Sequence, residues 1–104
     1  MKIVINKRYG GFDLSLQATQ EYAKLKGYEV IIDNEMDTFY IKELDTYSFS
    51  RNDPILVSVV EKLGPLANGN HSYLKIVEIP NDIDWVIEAY DGKEWISEKH
   101  RTWR

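Results

Sequence analysis

The chain has no cysteine, which excludes a disulfide framework, a thiolate nucleophile and a thiolate-held metal together. It has no apolar run approaching the roughly eighteen residues of a membrane-spanning helix, so no membrane partner is expected. Excess positive charge is missing as well. A net charge of −4 and an isoelectric point near 5.1 make the molecule repel nucleic acid overall, which disfavours binding of a nucleic-acid polymer. Familiar chemical signatures are equally scarce. Neither the G-x-G-x-x-G nor the G-x-x-x-x-G-K-[ST] spacing occurs, and a Rossmann or P-loop reading fails. No serine sits in a nucleophile-elbow context, and no His/Asp/Glu spacing resembles a metal site. No cofactor is expected. The chain also lacks internal repeats, low-complexity tracts and linkers.

What remains is the composition of an ordinary globular protein, 43% hydrophobic and 29% charged. A length of 104 residues gives room for one domain with one core, spanning 1–104. Such a chain buries roughly two-thirds of its unfolded surface and folds with little margin. Oligomerisation would help, and 12% aromatic residues supply interface material; a homo-oligomer is expected. The opening Lys2-Ile3-Val4-Ile5-Asn6 is too short and too strand-like for a signal peptide, which makes the cytoplasm the expected location.

Patterning predicts an α/β (α+β) domain in the order βαββαβββ, with a mixed sheet and two helices against it. Residues 2–6 are continuously apolar and β-branched, like a strand buried on both faces. Ser15 is a good N-cap for a helix over 16–26, and Gly27 stands where a left-handed terminal residue belongs. In that helix Leu16, Thr19, Ala23 and Lys26 make one row, widened by Tyr22 and Leu25. Residues 28–33 and 38–44 read as a hairpin around Asn34-Glu35-Met36-Asp37. Asp53-Pro54 opens a second helix as N-cap and first helical residue. Leu56, Val59, Val60 and Leu63 give its core stripe, and Gly64-Pro65 stops it. A strand over 73–79 follows, then a hairpin over 85–90 and 94–97 around Asp91-Gly92, a strong two-residue turn signal.

Two segments invite a functional reading. The loop Lys7-Arg8-Tyr9-Gly10-Gly11-Phe12 lies between a strand and a helix start. Its backbone N–H groups at Gly10 and Gly11, with the helix N-terminus at Ser15, suit a phosphate. Arg8 adds charge, and Tyr9 and Phe12 offer rings for stacking on a base. The structural alternative is a tight turn with its aromatics in the core. The second segment is the end of the chain, where Trp95, Lys99, His100, Arg101, Trp103 and Arg104 concentrate indole and cationic groups. Nucleotide binding and a subunit contact both explain that composition, since Trp and Arg also mark interface hot spots. His71, in Asn70-His71-Ser72, reads as a solvated loop residue. Asp82, Asp84, Glu88 and Asp91 are spaced like ordinary strand and turn residues.

The opening MKIVIN, the loop Tyr9-Gly10-Gly11-Phe12 with Leu14-Ser15, and Lys75-Ile76-Val77-Glu78-Ile79-Pro80 form one pattern. It continues through Tyr90-Asp91-Gly92, Glu94-Trp95 and Glu98-Lys99-His100-Arg101-Thr102-Trp103. This pattern resembles a widespread family of small bacteriophage and prophage proteins over nearly the whole chain, most weakly over 29–50. Small phage proteins of this type include sponges that hold the cyclic nucleotide signals of bacterial antiviral defence, CBASS and Thoeris among them, without cleaving them. The resemblance therefore implies an anti-defence protein of the host cytoplasm, not an enzyme, whose partner is a cyclic dinucleotide or cyclic ADP-ribose-like signal. Tyr9, Phe12, Trp95 and Trp103 would serve as purine platforms. Arg8, Gly10, Gly11, Arg101 and the helix start at Ser15 would serve the phosphates. Two rivals stand beside it: a protein–protein inhibitor of a host protein acting through the acidic, aromatic surface around 45–53, and a small nucleotide hydrolase using His100 with Glu98.

Overall fold

The computed structural model describes residues 1–44 and 49–98. It contains β1 (Lys2–Asn6), α1 (Leu16–Lys26), β2 (Val30–Asp33), β3 (Thr38–Ile41) and α2 (Pro54–Leu63). A 3-10 turn (Gly64–Ala67) then leads to β4 (Leu74–Glu78), β5 (Trp85–Tyr90) and β6 (Lys93–Glu98). The expected α+β class and element order are both present. In place of the one mixed sheet expected, the six strands of the described residues pair as three two-stranded antiparallel ladders, β1–β4, β2–β3 and β5–β6.

Local chemistry places the helices. Ser15 Oγ accepts the Ala18 N–H at 3.1 Å and opens α1, while Gly27 closes it at φ 74°, its N–H turned back to Ala23 and Lys24. Asp53 Oδ1 takes the Ile55 N–H at 2.9 Å and opens α2. The helix then tightens into the 3-10 turn at Gly64, a continuation that Gly64-Pro65 did not suggest.

The two helices pack on each other, and α2 also packs on β1. Ala18, Tyr22 and Ala23 of α1 meet Leu56, Val57, Val59 and Val60 of α2 in a core with Val4, Leu14, Ile41 and Ala67. Ile3, Val4 and Ile5 are buried on both faces of β1, as their continuous apolar run predicted. Leu16 and Leu25 depart from the expected stripe and are exposed, because α1 turns Ala18 and Ala23 inward, where small residues let the helices approach. The β2 and β3 ladder is also shorter than the predicted 28–33 and 38–44 hairpin.

A half-buried polar cluster fixes helix to helix. Tyr22 Oη donates to Asp53 Oδ2 at 3.0 Å, and Lys26 Nζ pairs with the same oxygen at 3.0 Å. Burial pushes the Tyr22 hydroxyl upward, and the Asp53 carboxylate adds to the effect. Burial also opposes ionisation of Asp53, but the Ile55 N–H, Lys26 and Tyr22 prevail and hold its carboxyl below the ordinary range.

Candidate functional site

The chain leaves β1 at Asn6, which is fully buried. Its side chain organises everything around the 7–12 loop. Asn6 Nδ2 donates to the Arg8 carbonyl and to the Gly92 carbonyl, each at 2.7 Å. Its Oδ1 accepts from Arg8 N at 3.3 Å and Tyr73 N at 2.9 Å. A buried amide must satisfy both donors and its acceptor, and here three chain segments do so at once.

A second polar tie completes the edge of β1 that does not pair with β4. The Asn6 N–H donates to Glu94 Oε1 at 2.8 Å, and the Val4 N–H to the Arg51 carbonyl at 2.8 Å. Arg51 and Glu94 are joined by two parallel bonds, Nη1 to Oε1 at 2.6 Å and Nη2 to Oε2 at 2.9 Å. The fork geometry of guanidinium and carboxylate makes this a directional clamp. Arg51 also lies 3.7 Å from the centre of the Phe12 ring, a cation–π contact.

The β5–β6 hairpin thereby meets the 7–12 loop through its turn. Asp91 (φ 50°) and Gly92 (φ 87°) both take the positive φ of a two-residue type I′ connection. The Gly10 N–H donates to the Asp91 carbonyl at 2.8 Å, and Gly92 packs so closely on Gly10 and Gly11 that a Cβ would collide with their backbone. On its other side, Gly10 abuts His71, whose carbonyl would lie 2.9 Å from an added Cβ.

Between this loop and the β2–β3 hairpin opens a cleft of about 320 Å³. Phe12, Leu14, Phe39, Ile41, Leu44 and Phe49 make its apolar walls, and Tyr40 stands at its edge. Phe12 and Phe49 are tilted against each other with centroids 5.9 Å apart. The titratable acid and base at the cleft are Asp13 and His71. Burial pushes the Asp13 carboxyl above its ordinary range, and His71 and the Leu14 N–H pull it partly back. The Asp13 carboxylate rests against Gly69, the Leu14 N–H and His71 are its polar neighbours, and no ion pair joins it to another described residue.

The expected site residues divide by role. Phe12, Gly10 and Gly11 line the cleft, but the Gly10 N–H is committed to Asp91 and so is not a free phosphate donor. Ser15 serves as a helix cap: its hydroxyl accepts from Ala18 and donates to the Leu66 carbonyl at 2.6 Å. Arg8 and Tyr9 are exposed. Lys93 Nζ stands 5.7 Å from the centre of the Tyr9 ring. Strand alternation puts Trp95 on the same face of β6 as Lys93 and turns Glu94 inward. Trp95 Nε1 donates to Glu88 at 3.2 Å. Lys99, His100, Arg101 and Trp103 lie outside the described residues, as does the 45–48 part of the surface ascribed to a protein inhibitor. Of the rest of that surface, Phe49 packs in the core and Arg51 is held by Glu94.

Sequence reasoning missed Asn6, Glu94 and Arg51 as organisers, and Asp13, His71 and Phe39 as cleft residues. An asparagine ending an apolar strand was the one local signal; the others acquire their roles from contacts between distant parts of the chain, such as Arg51 with Glu94. Among the described residues no group of three or more His, Asp or Glu side chains converges as a metal site, and no helix is long and apolar enough to cross a membrane. No protein-family model, curated protein or solved structure matches the chain.

Proposed function

We propose that this protein is a phage-encoded sponge that binds a cyclic dinucleotide or cyclic ADP-ribose-like immune signal and holds it uncleaved. The cleft beside the Gly10-Gly11 loop carries the reading. Its aromatic and aliphatic walls, with one acidic and one imidazole group, suit a planar base. At about 320 Å³ it falls at the small end of the roughly 300–1,000 Å³ typical of ligand sites. That is room for one half of a dinucleotide. A second copy supplying an equivalent cleft would take the other half, so a homo-oligomer belongs to the proposal. Arg8, exposed in the loop, and Lys93, half-buried beside Tyr9, are cations close at hand for phosphate, with the sequence placing Lys99 and Arg101 just beyond β6.

Sequestration requires nanomolar affinity, about −12 kcal/mol, to outcompete a receptor. The test is to incubate the protein with cyclic nucleotides, remove the free ligand, heat the complex and assay what is released. Intact ligand recovered after heating is the expected result. Altered ligand would make the protein an enzyme.

A second reading draws on one observation. Tyr9, Val86, Tyr90 and Trp95 are all exposed, and the last three share one face of the β5–β6 hairpin. Such a surface suits a protein partner. No depletion of any nucleotide would favour that inhibitor reading over the sponge.

A further inference from the structure

We propose that Asp13 selects the base, and that the cleft takes guanine in preference to adenine. The inference rests on the nucleotide reading above and deepens it. The cleft walls are aliphatic and aromatic, so they hold a planar ring without distinguishing one purine from another. Discrimination then falls to the polar groups, and Asp13 and His71 are the charged-type side chains that line the cleft.

An ionised carboxylate only accepts hydrogen bonds. The Watson–Crick edge of guanine presents two adjacent donors, N1–H and the 2-amino group, which match the two oxygens of a carboxylate side by side. Adenine presents one donor, the 6-amino group, next to the N1 acceptor, whose lone pair opposes the second oxygen. Hypoxanthine keeps N1–H but lacks the 2-amino group, and belongs in between.

The geometry fits a carboxylate kept ready for this role. The backbone of Asp13 is fixed: its carbonyl accepts from Gly69 N at 3.2 Å and from Ser72 Oγ at 2.6 Å. The next residue, Leu14, is anchored in the core. The exposed carboxylate lies against Gly69, where a side chain would displace it; the Leu14 N–H is its backbone partner, and no ion pair among the described residues uses up its remaining acceptor capacity. A carboxylate with acceptor capacity to spare, carried on a fixed backbone at an apolar cleft, is what selective recognition of a donor edge requires, because a ligand lacking the donors leaves that acceptor desolvated and unmatched on binding.

The experiment is calorimetric titration of the full chain with cyclic di-GMP, cyclic di-AMP and cyclic di-IMP, repeated with Asp13→Asn. The expected order is cyclic di-GMP, then cyclic di-IMP, then cyclic di-AMP. The first and last should differ by roughly 10- to 100-fold for each base read, the worth of a well-made bidentate contact. Asp13→Asn should remove most of that preference, because the amide keeps only one acceptor for guanine and its N–H now matches the N1 acceptor of adenine. Equal affinity for the guanine and adenine ligands overturns the assignment, as does an undiminished preference in Asp13→Asn. The series of three ligands tests the wild-type chain alone, so it decides even if the variant folds poorly. Binding of none of the three defeats the guanine assignment, and the heat-release assay with other cyclic nucleotides then decides separately whether the sponge reading falls with it.

Discussion

The helical body and the β5–β6 hairpin are held by different forces. In the body, Val4, Leu14, Ala18, Tyr22, Leu56, Val59 and their neighbours interlock in one apolar cluster. No residue of the hairpin belongs to that cluster. The hairpin is fastened instead by the Glu94–Arg51 pair, the Asn6 amide and the Gly10–Asp91 bond. Apolar burial is non-directional and roughly proportional to area, so it sets how stable the body is. Hydrogen bonds and a forked ion pair add less net stability but demand one geometry. They therefore set where the hairpin sits against the 7–12 loop, and with it the shape of that side of the cleft.

The largest break in this comparison comes from the body. Leu56 is fully buried, and Leu56→Ala should cost about 2–5 kcal/mol. Chemical unfolding followed by circular dichroism should show the helices lost in one transition at lower denaturant. Glu94→Ala attacks the other region. It leaves Arg51 without its partner and the Asn6 N–H without its acceptor, for a cost of roughly 3 kcal/mol. Here amide hydrogen exchange is the sharper measurement. Protection should fall across β5 and β6 well before it falls in α2, as it does for a segment that opens below the global limit. Equal loss in both regions would show that the hairpin is part of the core after all.

Asp53→Ala probes a polar tie inside the body. Loss of the α2 cap and of the Tyr22 and Lys26 contacts should cost about 1–2 kcal/mol at neutral pH. The Asp53 carboxyl is held below its ordinary value of 3.8. Its contribution is therefore complete above 3.8 and is lost as pH falls through the lower folded value. The stability gap between wild type and variant should narrow over that acidic window, as measured by thermal unfolding at a series of pH values.

The smallest effect belongs to the cleft. The Asp13 carboxyl is held above its ordinary 3.8, so ionising it costs folding stability once pH rises past that value. Asp13→Asn should accordingly leave stability at neutral pH within about 0.5 kcal/mol of wild type, or raise it slightly. A change confined to ligand choice, with the melting temperature preserved, separates this residue from Glu94 and Leu56.

Much of the fold was legible before the structure because its punctuation is local. Ser15 and Gly27 bracket α1, Asp53 and Pro54 open α2, and Asp91-Gly92 turns the last hairpin, each through bonds spanning only a few residues. The α1 stripe was less faithful: Leu16 and Leu25 look as core-like as Ala18 and Ala23 until the close approach of α2 selects the smaller pair. For the site, the loop was found but one donor in it was misread. The Gly10 N–H looks available in sequence, and only its distant partner, Asp91, shows otherwise.

By itself, the sequence determined the class of the fold, the order of its elements, the ends of its helices and the place of the glycine loop. These follow from backbone preferences and short-range hydrogen bonds that hold whatever the rest of the chain does. Tertiary structure alone decided that Asn6 would be the hub, that Glu94 would close the edge of β1 with Arg51, and that Asp13, Phe39, Phe49 and His71 would share a cleft. Those residues lie far apart along the chain, and an unpaired amide or carboxylate has no assigned role until burial decides which groups must satisfy it.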